Sequence, residues 1–260
     1  MSSPKIDPSA RVSAKAELGA GVEVGPYAII GDGVVIGADT RIGPHCVIEG
    51  PTMIGERNLF TGQASIGSPP QDHSYRGEPT RLVIGDDNTV REFVTINRGT
   101  LKEDGVTTVG NHNLIMAYCH VAHDCVVGSN VTMSNLATLA GHVHVEDNVI
   151  IGGLSAVHQF CRVGSYAIIG GGTMVSLDIV PYAKASGDRA RIFGTNSIGL
   201  RRNGFSASEM ANITKAYRLL FKDGLLLKDA IAKIEAELGG QPEVERILNF
   251  LKQSKRGIAR

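Results

Sequence analysis

A period of six residues governs the first two-thirds of this chain. Every sixth residue from Ile6 to Ile66 is aliphatic or aromatic, and the period returns without a break from Val109 to Val175. Four residues after each of these positions the side chain is small. A period of six matches neither the 3.6-residue helical period nor simple strand alternation. It is typical of a parallel β-helix, in which three short strands make one 18-residue coil and each coil stacks on the next.

The hexapeptide period also predicts how the chain is divided. We predict a mainly β fold, with a parallel β-helix over residues 1–190 and a helical domain over 191–260. Two polar, turn-rich stretches interrupt the period near 68–83 and 98–108, and we expect them to project from the prism as loops that carry binding residues. After the last repeat, Ser206 and Glu209 form a capping-box pattern, and apolar residues then recur at helical spacing.

Charge and hydropathy exclude several classes of function. Lys plus Arg equals Asp plus Glu at 26 each, so the chain lacks the basic excess typical of nonspecific nucleic-acid binding. No apolar run approaches the roughly 20 residues of a transmembrane helix, and the N-terminus lacks a secretory signal, so we expect a cytoplasmic protein. From Leu200 onward, however, 12 basic residues face 7 acidic ones. This basic segment predicts an acidic partner or substrate.

Three histidines provide the first indication of chemistry. His123, His142 and His158 fall close to an 18-residue spacing, so we expect them to line one edge of the prism and to project outward. One of them can act as a general base near neutral pH. A zinc site of the carbonic anhydrase kind is the alternative. It requires three nitrogens within about 2.1 Å of one ion, whereas two coils span roughly 10 Å, unless a neighbouring subunit supplies a ligand. A non-catalytic scaffold is a third reading.

Several short motifs occur in an order that resembles one enzyme family. They are His120–Cys125, Leu139–His142, Ala156–Cys161, Gly77–Arg81 and Arg201–Ser206. Together they closely resemble the acyl-ACP–UDP-N-acetylglucosamine O-acyltransferases, which begin lipid A biosynthesis. The resemblance covers the whole chain and implies a left-handed β-helix that assembles as a homotrimer with active sites between subunits. It also implies acyl carrier protein and a UDP-sugar as substrates, with the carrier thioester as donor and neither a cofactor nor a metal.

The resemblance assigns roles to individual residues. It implies that His123 is the catalytic base, that Asp124 is its carboxylate partner, and that the N–H of Gly141 faces the oxyanion. Gly171 would set the length of the acyl chain that is accepted. The remaining substrate-binding residues that it implies are Asp72, His120, His142, His158, Gln159, Asn196 and Arg202.

Two positions depart from the family pattern. Ser74 stands where many relatives carry Lys, and Asn97 stands where many carry His. A lost cation beside the sugar nucleotide requires a compensating group, such as His73, or indicates a different acceptor. The sequence therefore leaves open whether the acceptor is UDP-N-acetylglucosamine or its 3-amino analogue, which would give an amide product.

Overall fold

The computed structural model describes residues 3–260, and Met1 and Ser2 at the start of the predicted β-helix lie outside the described residues. The strands are β1 (Lys5–Ile6), β2 (Arg11–Val12), β3 (Glu17–Leu18), β4 (Glu23–Val24), β5 (Ile29–Ile30), β6 (Val34–Ile36), β7 (Arg41–Ile42), β8 (Val47–Ile48), β9 (Thr52–Ile54), β10 (Leu59–Phe60), β11 (Ser65–Ser68), β12 (Arg81–Ile84), β13 (Thr89–Val90), β14 (Thr95–Asn97), β15 (Val106–Val109), β16 (Leu114–Ile115), β17 (His120–Val121), β18 (Val126–Val127), β19 (Thr132–Met133), β20 (Thr138–Leu139), β21 (His144–Val145), β22 (Ile150–Ile151), β23 (Ala156–Val157), β24 (Arg162–Val163), β25 (Ile168–Ile169), β26 (Met174–Val175), β27 (Ala183–Ser186) and β28 (Arg191–Thr195). The helices are α1 (Ser197–Arg202), α2 (Ala207–Phe221), α3 (Leu227–Leu238) and α4 (Pro242–Gln253).

These strands form three parallel sheets that wrap around one core. Every third strand joins the same sheet, so the sheets run β1-β4-β7, β2-β5-β8 and β3-β6-β9 and continue in that way along the axis. Paired residues are 18 apart in the regular part, as Val121, Leu139 and Val157 are. The predicted fold class, a left-handed parallel β-helix of hexapeptide repeats with a C-terminal helical domain, is confirmed.

The ends of the irregular segments differ slightly from the sequence prediction. The first loop spans 69–80 and the second spans 98–105, because β12 and β15 begin two or three residues early and pair with each other. Both loops leave the same edge of the prism, between the β2-containing sheet and the β3-containing sheet. Strand pairing also extends past residue 190, since β28 pairs antiparallel with β27 as far as Thr195.

Three edges separate the sheets, and each has its own character. At most turns one non-glycine residue adopts a left-handed conformation with φ near 60°, and successive residues of this kind stack along an edge. We call one edge the apolar edge; it carries Tyr27, His45, Gln63, Phe93, Tyr118, Leu136 and Leu154, followed by Gly172. The polar edge carries Asp39, Arg57, Asp87, His112, Asn130 and Asn148, followed by Tyr166 and Tyr182. The third, the histidine edge, carries Asp124, His142 and Phe160.

The helical domain packs onto the C-terminal end of the prism. Helix α2 begins with the predicted capping box, in which Ser206 and Glu209 each satisfy the other's backbone N–H. The hydroxyl of Tyr217 in α2 donates a hydrogen bond to the carbonyl of Pro181. Among residues 3–260, no helix has both the length and the apolarity that crossing a bilayer requires.

A ladder of asparagines runs through part of the interior of the prism. Asn58, Asn88 and Asn113 are fully buried on successive coils. The Nδ2 of Asn88 donates to Oδ1 of Asn58 and to the carbonyl of Gly110, and Oδ1 of Asn88 accepts from the backbone N–H of Asn113, all at 2.9 Å. Because buried polar groups without partners are costly, each rung depends on the next.

We therefore expect Asn88→Ala to lower the free energy of unfolding by about 2–5 kcal/mol, since it leaves the carbonyl of Gly110 and the N–H of Asn113 without partners. Chemical denaturation measures this change. The control is Thr89→Ala. Thr89 follows Asn88 in the sequence and its side chain points outward, so we expect the free energy of unfolding to change by about 0.5 kcal/mol or less. Equal losses in the two variants would contradict a structural role for the ladder.

Candidate active site

His123 lies in the turn after β17, on the histidine edge. Its side chain is 14% exposed, and its Nδ1 lies 2.8 Å from Oδ2 of Asp124. An ionised carboxylate only accepts hydrogen bonds, so Nδ1 carries a proton and, in the neutral form of the ring, Nε2 keeps its lone pair. The pair is thus arranged as a base whose orientation a carboxylate fixes.

Asp124 is held by the second loop. Its side chain is 1% exposed, and Thr100 donates to both carboxylate oxygens, from its backbone N–H at 2.8 Å and from its hydroxyl at 2.6 Å. The backbone N–H of Asp124 donates to the hydroxyl of Thr107 at 2.8 Å. Burial alone would raise the pKa of Asp124, but the hydrogen bonds from His123 and Thr100 outweigh it and hold the pKa below its ordinary value. Asp124 is therefore ionised at neutral pH.

Gly141 occupies the next coil, directly beside His123. A Cβ at this position would lie 2.6 Å from Cε1 and 2.9 Å from Nε2 of His123, so only glycine leaves room for the ring. Within residues 3–260 the N–H of Gly141 donates no hydrogen bond. A free backbone donor and a free imidazole nitrogen therefore lie next to each other.

His142 is more buried than an outward-facing residue is expected to be. Phe160 and the second loop cover it from outside the core and leave it 5% exposed. Its ring stacks on Phe160 at 4.4 Å and meets His123 edge-on at 5.1 Å. Its Nδ1 lies 3.2 Å from a carboxylate oxygen of Glu103. His142 thus forms one wall of the site.

The other histidines separate into two groups. His120 lies on the outer face of β17, where its Nδ1 is 2.7 Å from the hydroxyl of Thr95. Burial, together with the nearby His123, lowers the pKa of His120, so this imidazole is neutral at physiological pH. His158 and Gln159 are exposed farther along the histidine edge. His158 lines a different cavity, near the C-terminal end of the prism.

The first loop contributes Asp72, which is paired with a residue of the second loop. Its Oδ2 accepts from Nζ of Lys102 at 2.6 Å, and its Oδ1 accepts from the N–H and hydroxyl of Ser74 at 2.8 Å each. The hydrogen bond from Lys102 is the main reason why the pKa of Asp72 lies well below its ordinary range. Lys102, which the sequence analysis did not single out, thus places a cation beside Ser74. Asn97 supports the base of the same loop by donating to the carbonyl of Pro69 at 3.0 Å.

Three predicted residues lie apart from this cluster within one chain. Gly171 is next to Gly172 on the apolar edge, where an added Cβ would be 3.3 Å from the carbonyl of Gly153. Asn196 caps α1 through its Oδ1 and donates to the carbonyl of Tyr166 at 2.9 Å. Arg202 ends the same helix and is exposed. No contact within residues 3–260 joins them to His123.

The geometry does not favour the zinc alternative. His123, Asp124 and His142 offer ligand atoms within 4.8 Å of one another. However, Oδ2 of Asp124 already accepts two hydrogen bonds, and Nδ1 of His123 is used in one of them. His158, the third predicted ligand, lies elsewhere. Nε2 of His123 and the ring of His142 then remain as free ligands, which is fewer than the three or four that a zinc site requires.

Sequence reasoning missed Thr100, Thr107, Lys102 and Glu103. Thr100 and Asp124 are 24 residues apart, across a loop that breaks the hexapeptide period, so the period could not align them. The only available signal was the polar character of the loop itself.

Comparisons with known proteins find relatives that match nearly the whole chain. A family model described as UDP-N-acetylglucosamine O-acyltransferase, domain 2, matches residues 178–259, and a hexapeptide-repeat transferase model matches 15–50 and 107–141. The acyl-[acyl-carrier-protein]–UDP-N-acetylglucosamine O-acyltransferase of Alkalilimnicola ehrlichii is 54% identical over 98% of this chain and 99% of the relative. That of Janthinobacterium sp. is 52% identical with the same coverage. The solved UDP-N-acetylglucosamine O-acyltransferase of Moraxella catarrhalis has a TM-score of 0.96 at 41% identity, covering 98% of this chain and 99% of that one.

The hydrogen bonds from Thr100 predict a pH-dependent contribution to stability. Because the folded-state pKa of Asp124 is lowered, its ionisation stabilises the fold above the unfolded-state pKa of about 3.9, and this stabilisation is lost as the pH falls through the folded-state pKa. Thr100→Val removes a donor and so raises that folded-state pKa. We expect the variant to be less stable by about 1–3 kcal/mol near pH 7, and the difference to shrink below about pH 4.

Denaturation curves across this pH range measure the effect. Thr108→Val, on the outward face of β15, is the matched control and should leave stability and its pH dependence unchanged. A deficit in Thr100→Val that is constant with pH would show that only packing was lost.

Proposed function

Since the chain belongs to the family of acyl-[acyl-carrier-protein]–UDP-N-acetylglucosamine O-acyltransferases, we propose that it transfers a 3-hydroxyacyl chain from acyl carrier protein to the 3-hydroxyl of UDP-N-acetylglucosamine, in lipid A biosynthesis. The observation that carries this proposal is the free Nε2 of His123 next to the free N–H of Gly141. A base and an oxyanion donor in contact are what direct acyl transfer to a hydroxyl requires.

The first step is attack on the thioester. Nε2 of His123 takes the proton of the sugar hydroxyl as its oxygen forms a bond to the thioester carbonyl carbon. The buried carboxylate of Asp124 holds the ring in orientation and stabilises the imidazolium that forms. The carbonyl oxygen becomes an oxyanion, and the N–H of Gly141 stabilises its charge as a fixed donor.

The second step breaks the carbon–sulfur bond. The oxyanion collapses to the ester carbonyl, and the carrier thiolate leaves and takes the proton from Nε2 of His123. This returns the imidazole to its starting form. The protein's own thiols do not compete as nucleophiles, because burial raises the pKa of Cys125 to about 12, those of Cys119 and Cys161 to about 11, and also that of Cys46. Direct transfer without an acyl-enzyme is the mechanism that these features support.

The second loop completes the site. Thr100 orients Asp124, and Glu103 lies against His142. Lys102 is bound to Asp72 and supplies a cation where Ser74 departs from the family pattern. We propose that this lysine, rather than His73, is the compensating group. The acceptor is then the hydroxyl of UDP-N-acetylglucosamine, in line with the O-acyltransferase names of the relatives, and no observation favours the 3-amino acceptor.

The surface of the prism supports assembly into a homotrimer. The apolar edge exposes Tyr27, Tyr118 and Leu154 by more than half, which is unusual for large apolar side chains in a column. We propose that the apolar edge of one subunit faces the histidine edge of the next. The cleft between them would bring Gly171, Asn196 and Arg202 near a neighbour's His123. The acyl chain would lie along Leu136 and Leu154 toward Gly171.

Acyl carrier protein is the proposed partner of the basic C-terminal domain. Two of its cations are already neutralised, since Lys215 pairs with Glu237 at 2.8 Å and Arg218 lies 3.8 Å from Asp223. Arg201 and Lys222 are exposed and have no carboxylate within 4.0 Å among residues 3–260. An acidic carrier is therefore expected to contact these two. The cytoplasmic location stays a prediction from the sequence.

The proposed base predicts the result of one substitution. With 3-hydroxyacyl-ACP and UDP-N-acetylglucosamine, we expect wild type to form the 3-O-acyl product with or without EDTA. His123→Gln should lower kcat by roughly 10²- to 10⁴-fold, because the proton acceptor is lost. His112→Gln on the polar edge, where the imidazole lies 3.9 Å from Asp87, is the matched control and should retain wild-type kcat.

Three results would contradict the assignment. Near wild-type kcat in His123→Gln would show that His123 is not the general base. Loss of activity with EDTA would restore the metal alternative. A wild-type enzyme that uses only the 3-amino acceptor would change the product to an amide.

The position of Gly171 predicts control of acyl-chain length. Gly171→Met should shift the preference toward shorter 3-hydroxyacyl donors while sparing turnover of the short ones, since only the far end of the proposed cleft is filled. Competition between donors of several lengths measures the profile. Ala38→Met, in the equivalent turn position on the polar edge, is the control. If Gly171→Met keeps the wild-type preference for acyl-chain length, Gly171 does not limit that length.

A further inference from the structure

A cavity of about 1020 Å³ opens at the C-terminal end of the histidine edge, and four arginines line it. They are Arg189, Arg191, Arg256 and Arg260, and His158 lies on the same wall. Of the described residues in the lining, Asp188 is the only one with an acidic side chain. Neither His123 nor His142 lines this cavity, although Arg256 also lines a neighbouring one that contains His142.

Backbone hydrogen bonds fix the segments that form this cavity. The segment before β28 is attached to β26, since Met174 donates to the carbonyl of Gly187 at 3.1 Å and Ala190 donates to the carbonyl of Met174 at 2.8 Å. The C-terminal segment is attached to Asp178, whose carbonyl accepts from Ala259 at 2.9 Å. The guanidinium of Arg256 donates to the carbonyl of Ser176 at 3.2 Å. The arginines therefore project from a fixed frame.

None of these four guanidinium groups is neutralised. Among residues 3–260, no carboxylate lies within 4.0 Å of any of them, whereas Arg57, Arg91 and Arg162 each have such a partner. In a chain with equal numbers of basic and acidic residues, four unpaired guanidiniums around one cavity create a local positive potential. Arginine binds phosphate oxygens in a bidentate manner, so a phosphate group of a substrate is an anion that this cavity can hold.

The cavity lies on the same edge as the proposed base. His123, Gly141, Gln159 and Leu177 are each 18 residues apart, and Leu177 is part of the lining. At about 4.8 Å per coil, Leu177 is roughly 14 Å from His123 along the axis. A substrate whose reacting group lies at His123 can therefore reach the arginines with a group that is roughly 14 Å farther along the substrate.

We propose that this cavity is a phosphate-binding subsite for a substrate of the acyl transfer, an inference that rests on the proposed function. Both substrates carry the chemistry that it would recognise. The donor has the phosphodiester at the base of its pantetheine arm, and the acceptor has its diphosphate.

The test uses Arg189→Gln/Arg191→Gln, which removes two exposed charges from the cavity. The matched control is Lys228→Gln/Lys233→Gln, which removes two exposed charges from α3. KM is measured for UDP-N-acetylglucosamine and, separately, for 3-hydroxyacyl-phosphopantetheine and for its analogue without phosphate. Calorimetry with pyrophosphate and with phosphopantetheine gives a second readout that does not need turnover.

We expect KM for one phosphate-bearing substrate to rise about 10- to 100-fold in the arginine variant, with kcat within about twofold and the control unchanged. A rise for the nucleotide sugar assigns its diphosphate to the cavity. A rise for acyl-phosphopantetheine, but not for the analogue without phosphate, assigns the donor phosphate. Unchanged KM values together with unchanged calorimetric binding would overturn the proposal. Absence of transfer by the wild type would instead refute the proposed function, while calorimetry still tests the subsite.

Discussion

The hydrogen-bonded stacking of coils is the constraint on which this structure depends. The backbone of each coil forms hydrogen bonds with the coil above and the coil below. Residues 18 apart are therefore held at a fixed separation along an edge. That fixed separation brings Gly141 against the ring of His123, in a contact that a single methyl group would prevent. The proposed catalytic pair therefore requires no flexible segment to place it. A scaffold held by its own ladder supplies the accuracy that the proposed general base needs.

Around that fixed pair, the second loop supplies what the repeat cannot. A regular coil has only a short turn at each edge. The second loop extends beyond such a turn, and this extra length lets it reach the buried carboxylate of Asp124. The loop brings Thr100 onto both oxygens of Asp124, and it brings Glu103 to the imidazole of His142. It also joins the first loop through Lys102 and Asp72. The charge state of the site thus depends on the two loops, while the spacing of His123 and Gly141 depends on the regular coils.

This division explains what could be predicted from the sequence. The fold was predictable because a hexapeptide period has one structural solution, and the stacking of His123 beside Gly141 follows from counting by 18. The burial of His142 was not predictable, because its covering residues come from Phe160 and from a loop outside the period. The contact between Thr100 and Asp124 was hidden for the same reason. The roles of Asn196 and Arg202 came only from family resemblance, since one chain does not place them near the base.

Both loops leave the prism at the same edge, one coil apart, and the ladder continues above and below them. A loop inserted at an edge lowers the stability of the fold little, as long as the strands on either side of it still pair in register with their neighbours. Such an edge can therefore gain, lose or lengthen segments during evolution while the core stays unchanged. The other two edges keep their own columns of residues through the same events. New substrate preferences can arise at the histidine edge without altering the columns of the apolar and polar edges.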